Sequence, residues 1–442
     1  MARRPARRGD RPGALSAARR LAVDVLVRVD DGAYVHALLP AVLRASALDA
    51  RDRAFVTDLV AGTTRLRDAL DFLLERVADR PVGKLDPRVR AGVRLGTYQL
   101  VRGLPAHAAV AATVEAVAGR GRGYVNAVLR RVAELGPPWP WPDGNDADAL
   151  AVRTSHPKWL VEALVAELGA DAARGVLDAD NEPPALTLRP NAARTTADAL
   201  AAELVAAGAT VERGRLLPDA LVVRGVGDPA RLPAVVGGRA TPQDQASQAV
   251  VALVDTAPGQ RLLDVAAAPG GKATGVAERG ASVVALDRDR GRLRMVSDAA
   301  LRLDVDVDCV VGDAHTPPVR SRSFDRVLVD APCSGLGVLR RRADARWRVR
   351  PAMIPEVVNV QRALLEGAAG ALAPGGVLVY SVCTLTGAET EGIDAWLRRA
   401  HPELHALEAP GPPWEPVGRG ARLLPQRCGT DGMYVLRLGL AP

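Results

Sequence analysis

Two cysteines in this chain stand where sulfur can react. Cys333 lies in DAPCSGLG, directly after the apolar run FDRVLVD, and Cys383 lies in VCTL, directly after GVLVYS. Each follows a predicted strand at its carboxyl end. The Cys333 flanks, Pro332, Ser334 and Gly335, are loop residues and not the surroundings of a core-filling thiol, which is the bland alternative for both sulfurs. A thiolate beside a methyl donor solves a definite chemical problem. Carbon 5 of cytosine is too weak a nucleophile to attack a sulfonium, but thiolate addition at carbon 6 makes an enamine-like ring whose carbon 5 can accept a methyl group. An acid near ring nitrogen 3 would stabilise the adduct, and Asp330 is placed for that. The carbon 5 proton must then leave to a base, and thiol elimination restores aromaticity. Spacing alone leaves open which cysteine attacks.

The methyl donor needs its own site, and LLDVAAAPGGKAT supplies one. Ala266, Ala267, Ala268, Pro269, Gly270, Gly271 and Lys272 form a turn between a strand and a helix, where glycines allow close backbone approach to a ligand. The turn lacks GxGxxG. As a phosphate loop it fails too, with Ala266 at the first glycine position and Ala273 after Lys272. A nucleoside cofactor without phosphates remains. Asp287 ends strand SVVALD, where an acid accepts ribose hydroxyls, and Asp313 ends VDCVVGD, placed to accept from an adenine amine. Asp330 ends the next strand. S-adenosylmethionine fits this set best. Lys272 is one of only three lysines against 55 arginines, so it marks a place for a compact ammonium, a supporting cation.

Those residues imply the elements that hold them. From Thr241 onward, strands alternate with crossover helices, which predicts a doubly wound, largely parallel sheet with ligands at its carboxyl ends. Residues 15–135 repeat apolar residues at helical spacing, as in LAVDVLVRV and RAFVTDLVAGTTRLRDALDFLLERV, and predict an all-α domain of about six helices. Residues 136–150 are a Pro-rich linker, and residues 151–240 a small α/β accessory subdomain. Residues 1–14 read as a basic disordered tail, and residues 241–442 as the catalytic domain.

The 442 residues carry a net charge of +7, of which the first 20 residues supply +6, so any nucleic-acid footprint must be local. One candidate is RRRADARWRVR, where Arg340, Arg341, Arg342 and Arg346 could bind phosphates while Trp347 stacks on a base. The four cysteines form no CxxC pair, which excludes a disulfide scaffold and a zinc knuckle, and no metal is expected. No apolar run is long enough to span a membrane, and the opening residues lack a signal-peptide core. A cytoplasmic monomer that binds RNA, with neither DNA nor membrane as partner, is the expectation.

AAPGGK, DAPCSG and YSVCTL resemble the signature motifs of the RNA 5-methylcytosine methyltransferases, the Sun/NOL1/NOP2 family, and TPQDQASQ resembles the segment before their catalytic core. PAHAAVAATVEAVAG and GRGYVNAVLRRV resemble a NusB-like RNA-binding domain, and SHPKWLVEAL the start of the linking subdomain. The resemblance implies a Rossmann-like class I methyltransferase domain preceded by an all-α NusB-like domain and a small α/β linking subdomain. That domain order is the one found in the bacterial branch acting on 16S rRNA. It implies Cys383 as nucleophile and Cys333 as the cysteine assisting proton removal and release. It also implies residues 266–272 as the cofactor loop, Asp287 and Asp313 as ribose-side and adenine-side acids, and Asp330 as the acid shared by both pockets. The chain departs from the pattern at Ala266, usually Cys, at Gly387, Ala388 and Glu389, usually proline and paired acids, and at DGMY, usually DGFF-like. A tRNA substrate, or a non-catalytic role in ribosome assembly, are the alternatives. An adenine-amino methyltransferase would favour an Asp/Asn-Pro-Pro-aromatic loop in place of DAPC.

Overall fold

The computed structural model describes residues 12–442, with side chains from Ser16 onward. The expected basic tail lies, for residues 1–11, outside that range, and the first helix starts at Pro12. The chain forms two compact units. One comprises the amino-terminal residues through Glu162 together with Arg342–Arg348, and the other comprises Ala163–Arg341 and Val349–Pro442.

The first unit is helical, with no strand among its described residues. Helices span Pro12–Asp30, Val35–Ala45, Ala50–Arg65, Arg67–Leu74, Pro87–Val101, Ala106–Val117 and Arg122–Leu135, followed by Ala147–Thr154. Asp49 and Asp86 cap two of them by accepting from free first-turn amides, and Pro87 occupies the position where a missing N–H costs nothing. Ala22, Val23, Leu26, Val56, Leu59, Val60 and Leu95 close one core, and Leu74, Val93, Val125, Val128 and Leu129 a second. The run from Arg53 to Val77, read as one helix, breaks at Leu66.

The second unit carries two sheets. Strands β1 (Leu186–Pro190), β2 (Thr210–Arg213), β3 (Leu221–Arg224) and β4 (Ala240–Pro242) form an antiparallel sheet in the order β2-β3-β1-β4. The larger sheet is built from β5 (Arg261–Val265), β6 (Ser282–Asp287), β7 (Val307–Val311), β8 (Phe324–Asp330) and β9 (Leu372–Val382). These five are parallel and ordered β9-β8-β5-β6-β7. Beyond β9 the sheet turns antiparallel through β13 (Met433–Leu440), β12 (Gly420–Leu423) and β11 (Glu415–Val417), with β10 (Leu404–Ala406) pairing the far end of β13. Strand order reverses between β5 and β8, so a crevice opens at their carboxyl ends. Leu263, Val265, Val327, Val329, Leu378 and Tyr380 are fully buried, which is why these strands read as near-continuous apolar runs.

Candidate active site

All the reactive groups named from the sequence leave the parallel strands at that crevice. Asp287 ends β6, Asp330 ends β8, and Cys383 directly follows β9. The turn after β5 is held by its own backbone and by neighbours. Gly270 N–H donates to Ala267 O, Thr274 Oγ1 to Gly270 O at 2.8 Å, Arg292 to Ala268 O at 2.8 Å and Arg189 to Gly271 O at 2.6 Å. Gly270 has φ +98°, and a Cβ there would meet Val296 Cα at 2.9 Å, so no other residue fits. Ala266, the residue standing where the family has Cys, also takes a left-handed φ, +68°.

Asp287 is buried and accepts from the amides of Ala268 (3.3 Å) and Asp289 (3.0 Å). Its carboxylate is thereby fixed against the turn with acceptor capacity to spare, as a ribose diol requires. Asp313 is exposed and accepts from His315 N at 3.0 Å. Asp264, not singled out as a site residue by sequence, is almost fully buried with neither oxygen in a well-formed hydrogen bond. Its carboxyl is pushed up to about 8 by burial and by Asp330 and Asp287, against Lys272. The signal in sequence was the lone acid inside RLLDVAA. The glycine turn and the buried strand-end carboxylate of Asp287 together fit S-adenosylmethionine.

At the other wall, Lys272 Nζ lies 2.5 Å from Asp330 Oδ2, and Ser381 Oγ donates to Asp330 Oδ1 at 2.8 Å. Burial opposes the Lys272 charge but is outweighed by Asp330, Cys383 and Asp264, so its pKa is raised and it stays an ammonium. Cys333 Sγ and Cys383 Sγ are 3.3 Å apart. The pair is electrically asymmetric. Cys383 is drawn down by the hydrogen bond from Cys333, and by Lys272, against burial and Asp330. Cys333 is driven well up by its bond to Cys383, by burial, by the Cys383 charge and by Glu389. Of the two sulfurs, Cys383 is therefore the one that gives up its proton more readily and Cys333 the one that keeps it. Gly337 wedges beneath: its N–H donates to Cys383 O, its carbonyl accepts from Gly432 N, and a Cβ there would collide with Gly432 O.

The arginine segment corrects an expectation. Arg340, Arg341, Arg346 and Trp347 all donate hydrogen bonds within the protein. Arg340 donates to Thr430 O, and Arg341 binds Asp431 at 3.0 Å and Asp244 at 2.6 Å. Asp244 also caps the helix Gln245–Leu253 and accepts from Asp431 N, which ties TPQDQASQ to the DGMY end. Arg346 is wholly buried in the helical unit and donates to Arg65 O and Ser155 O. Trp347 donates to Thr64 O at 2.7 Å, with the Arg67 guanidinium 4.2 Å over its ring. Carbonyls at helix ends lack intrahelical donors, and these side chains supply them. Of the five residues, Arg342 alone is exposed. Among the described residues there is no cluster of acids, histidines or cysteines able to hold a metal, and no helix long and apolar enough to cross a membrane.

Comparison with known proteins agrees with this geometry. The model described as 16S rRNA methyltransferase RsmB/F matches residues 251–439, the NusB family model matches 16–134, and the ferredoxin-like domain of RsmF/B-like methyltransferases matches 156–228. The ribosomal RNA small subunit methyltransferase B of Xylella fastidiosa is 35% identical over 93% of this chain and 94% of its own. The chain belongs to the RsmB family of rRNA cytosine-5 methyltransferases. The Mycobacterium tuberculosis protein Rv1407 is 38% identical over 98% of this chain and 99% of its own. A solved structure, PH0851, superposes with a TM-score of 0.82 at 25% identity, covering 97% of this chain and 99% of that one. The enzyme is thus an S-adenosylmethionine-dependent RsmB-type methyltransferase, with an all-α NusB-like domain, a ferredoxin-like linker and a Rossmann-like catalytic domain.

Proposed function

We propose that this RsmB-family enzyme methylates carbon 5 of a cytosine in 16S rRNA through a covalent bond between Cys383 and carbon 6. The observation that carries the reading is the pair of sulfurs 3.3 Å apart, with an ammonium beside Cys383 and a carboxylate beside Cys333. Asp287 and the backbone of residues 266–272 would hold S-adenosylmethionine, with the exposed Asp313 toward the adenine and Asp330 between the two pockets. When bound, that cofactor supplies an electrophilic methyl group. Cys383 adds as thiolate to carbon 6 while the Lys272–Asp330 pair gives a proton to ring nitrogen 3, which it takes back when the thiolate leaves. Carbon 5 then acts as nucleophile. Loss of the carbon 5 proton to a base at the Cys333 side breaks the carbon–sulfur bond and returns Cys383 as thiolate. The name of the Xylella relative supports small-subunit rRNA as the substrate.

Two measurements test this reading. Cys383→Ala should lose turnover and never trap RNA, whereas Cys333→Ala should accumulate a protein–RNA species that survives denaturant and collapses with ribonuclease. Trapping by Cys383→Ala instead would reverse the two roles, and full activity in both variants would refute the mechanism. Bisulfite mapping of total RNA from cells with and without the gene should show one 16S rRNA cytosine change. A change confined to tRNA would make the enzyme a tRNA methyltransferase.

A further inference from the structure

Glu389 is fully buried, yet it sits in a polar loop, on the short turn Gly387–Glu389 that follows Cys383. Its Oε1 accepts from Ser334 N at 2.8 Å and from Gln361 Nε2 at 3.1 Å. Its Oε2 accepts from Ser334 Oγ (2.5 Å), Thr386 Oγ1 (2.7 Å) and Thr384 Oγ1 (3.2 Å). The second hydrogen of the Gln361 amide goes to Pro332 O at 3.1 Å. These partners come from three places: Pro332 and Ser334 on either side of Cys333, Thr384 beside Cys383, and the helix Ile354–Ala371. Every one of them is neutral. A buried carboxylate held only by neutral donors is an expensive way to join two loops, because an apolar contact would join them without desolvating a charge.

We propose that Glu389 is a positioning residue for the release half of the reaction, docking the Cys333 loop onto the Cys383 loop so that the two sulfurs face each other. This rests on the roles proposed for the two cysteines. Ser334 is bound through both its amide and its hydroxyl, so the residue next to Cys333 has no freedom to swing. The same carboxylate bonds Thr384, the residue next to Cys383, and sets the spacing between the sulfurs. Its negative charge also falls on Cys333 while the Lys272 charge falls on Cys383. The two cysteines thereby differ in reactivity although both are buried thiols on adjacent loops. Adduct formation needs only Cys383 and the Lys272–Asp330 pair, which Glu389 does not touch. Release needs Cys333 in register, and that is what Glu389 holds.

Glu389→Gln keeps the shape and removes the charge. It should lower kcat by roughly ten- to a hundredfold, the scale of losing charge-assisted hydrogen bonds from a positioned loop, while KM for RNA and affinity for S-adenosylmethionine stay close to wild type. A covalent protein–RNA species should accumulate during turnover. Independently of any RNA, the rate of Cys333 alkylation by iodoacetamide, read by mass spectrometry of its peptide, should rise at lower pH than in the wild type. Wild-type turnover with an unshifted alkylation profile would overturn the proposal, and so would loss of turnover without any trapped species. Should Glu389→Gln fail to fold, Ser334→Ala decides: it deletes the hydroxyl bond and leaves the amide bond, so it must trap RNA more weakly, and wild-type turnover there would also overturn the idea. If the wild type makes no 5-methylcytosine at all, the proposed function fails, while the alkylation profile still decides whether Glu389 governs Cys333.

Discussion

Asp264→Asn offers a quantitative test of how the catalytic crevice holds its charges. The wild-type carboxyl is pushed up to about 8, first by burial and then by Asp330 and Asp287. In an unfolded chain an aspartate titrates near about 4. Between those values the folded protein keeps a proton that the unfolded chain has released. The stability contributed by protonated Asp264 is therefore complete below about pH 4 and is lost as pH rises through about 8. The loss runs at roughly 1.4 kcal/mol per pH unit for one proton. Asparagine has nearly the same shape and no proton to lose, so the stability of the variant relative to wild type should climb with that slope from pH 5 to pH 8. The ceiling is about 4 kcal/mol over that span, with a plateau above it. The offset at any one pH mixes new amide contacts with lost ones, and only the slope reports the titration. Urea unfolding at five pH values, followed by hydrogen exchange in the peptide containing residues 261–265, measures it. A stability difference that does not change with pH would mean that Asp264 is ionised in the folded protein, and that burial and its two acidic neighbours do not govern the charge of the crevice.

Other perturbations separate the cofactor wall from its supports. Asp287→Ala should weaken S-adenosylmethionine binding by roughly 1.5–3 kcal/mol, the value of hydrogen bonds to a charged group; unchanged affinity in calorimetry would sink the ribose assignment. Arg341→Gln leaves Asp244 and Asp431 without their shared cation, so it should lower the melting temperature and slow turnover together. Replacing the exposed Arg342 by Gln should instead leave stability alone, and a change in the salt dependence of RNA binding would show that this side chain meets phosphate.

Much of this architecture could be read from the chain because buried parallel strands announce themselves. SVVALD, FDRVLVD and GVLVYS are apolar runs closed by an acid or a small polar residue, RLLDVAA is an apolar run with one acid inside it, and each became a strand. Strands β2, β4, β10, β11 and β12 escaped because three or four residues are too few to show an alternation. The break at Leu66 escaped because apolar spacing runs through it unchanged. The arginine segment misled for another reason. Local charge density counts guanidinium groups but cannot see their acceptors, which lie 90 residues away for Arg340 and 281 for Arg346. Glu389 was visible only as an acid in a polar loop, since its partners come from three separate segments. The cysteines were placed at one crevice by strand order, but the contact between them, and the opposite charges beside each, required the folded chain.

The wedge at Gly337 and the strand that follows Asp431 have a consequence in time. Strand β9, which delivers Cys383, is bordered on one side by β13, pairing Val382 with Tyr434 and Val377 with Gly439. The amide that anchors Gly337 comes from Gly432. A ribosome making this protein thus finishes both cysteines, Lys272 and Asp330 well before it makes the strand that braces them. At roughly 5–20 residues per second, several seconds separate the synthesis of Cys383 from that of β13. A nascent chain stalled in that interval carries every reactive group but has none of the β13 pairing or the Gly432 contact that sets their spacing. The brace is thus made after the groups it braces: the Gly432–Gly337 contact and the β13 pairing can form only once residues 432–440 have been synthesised.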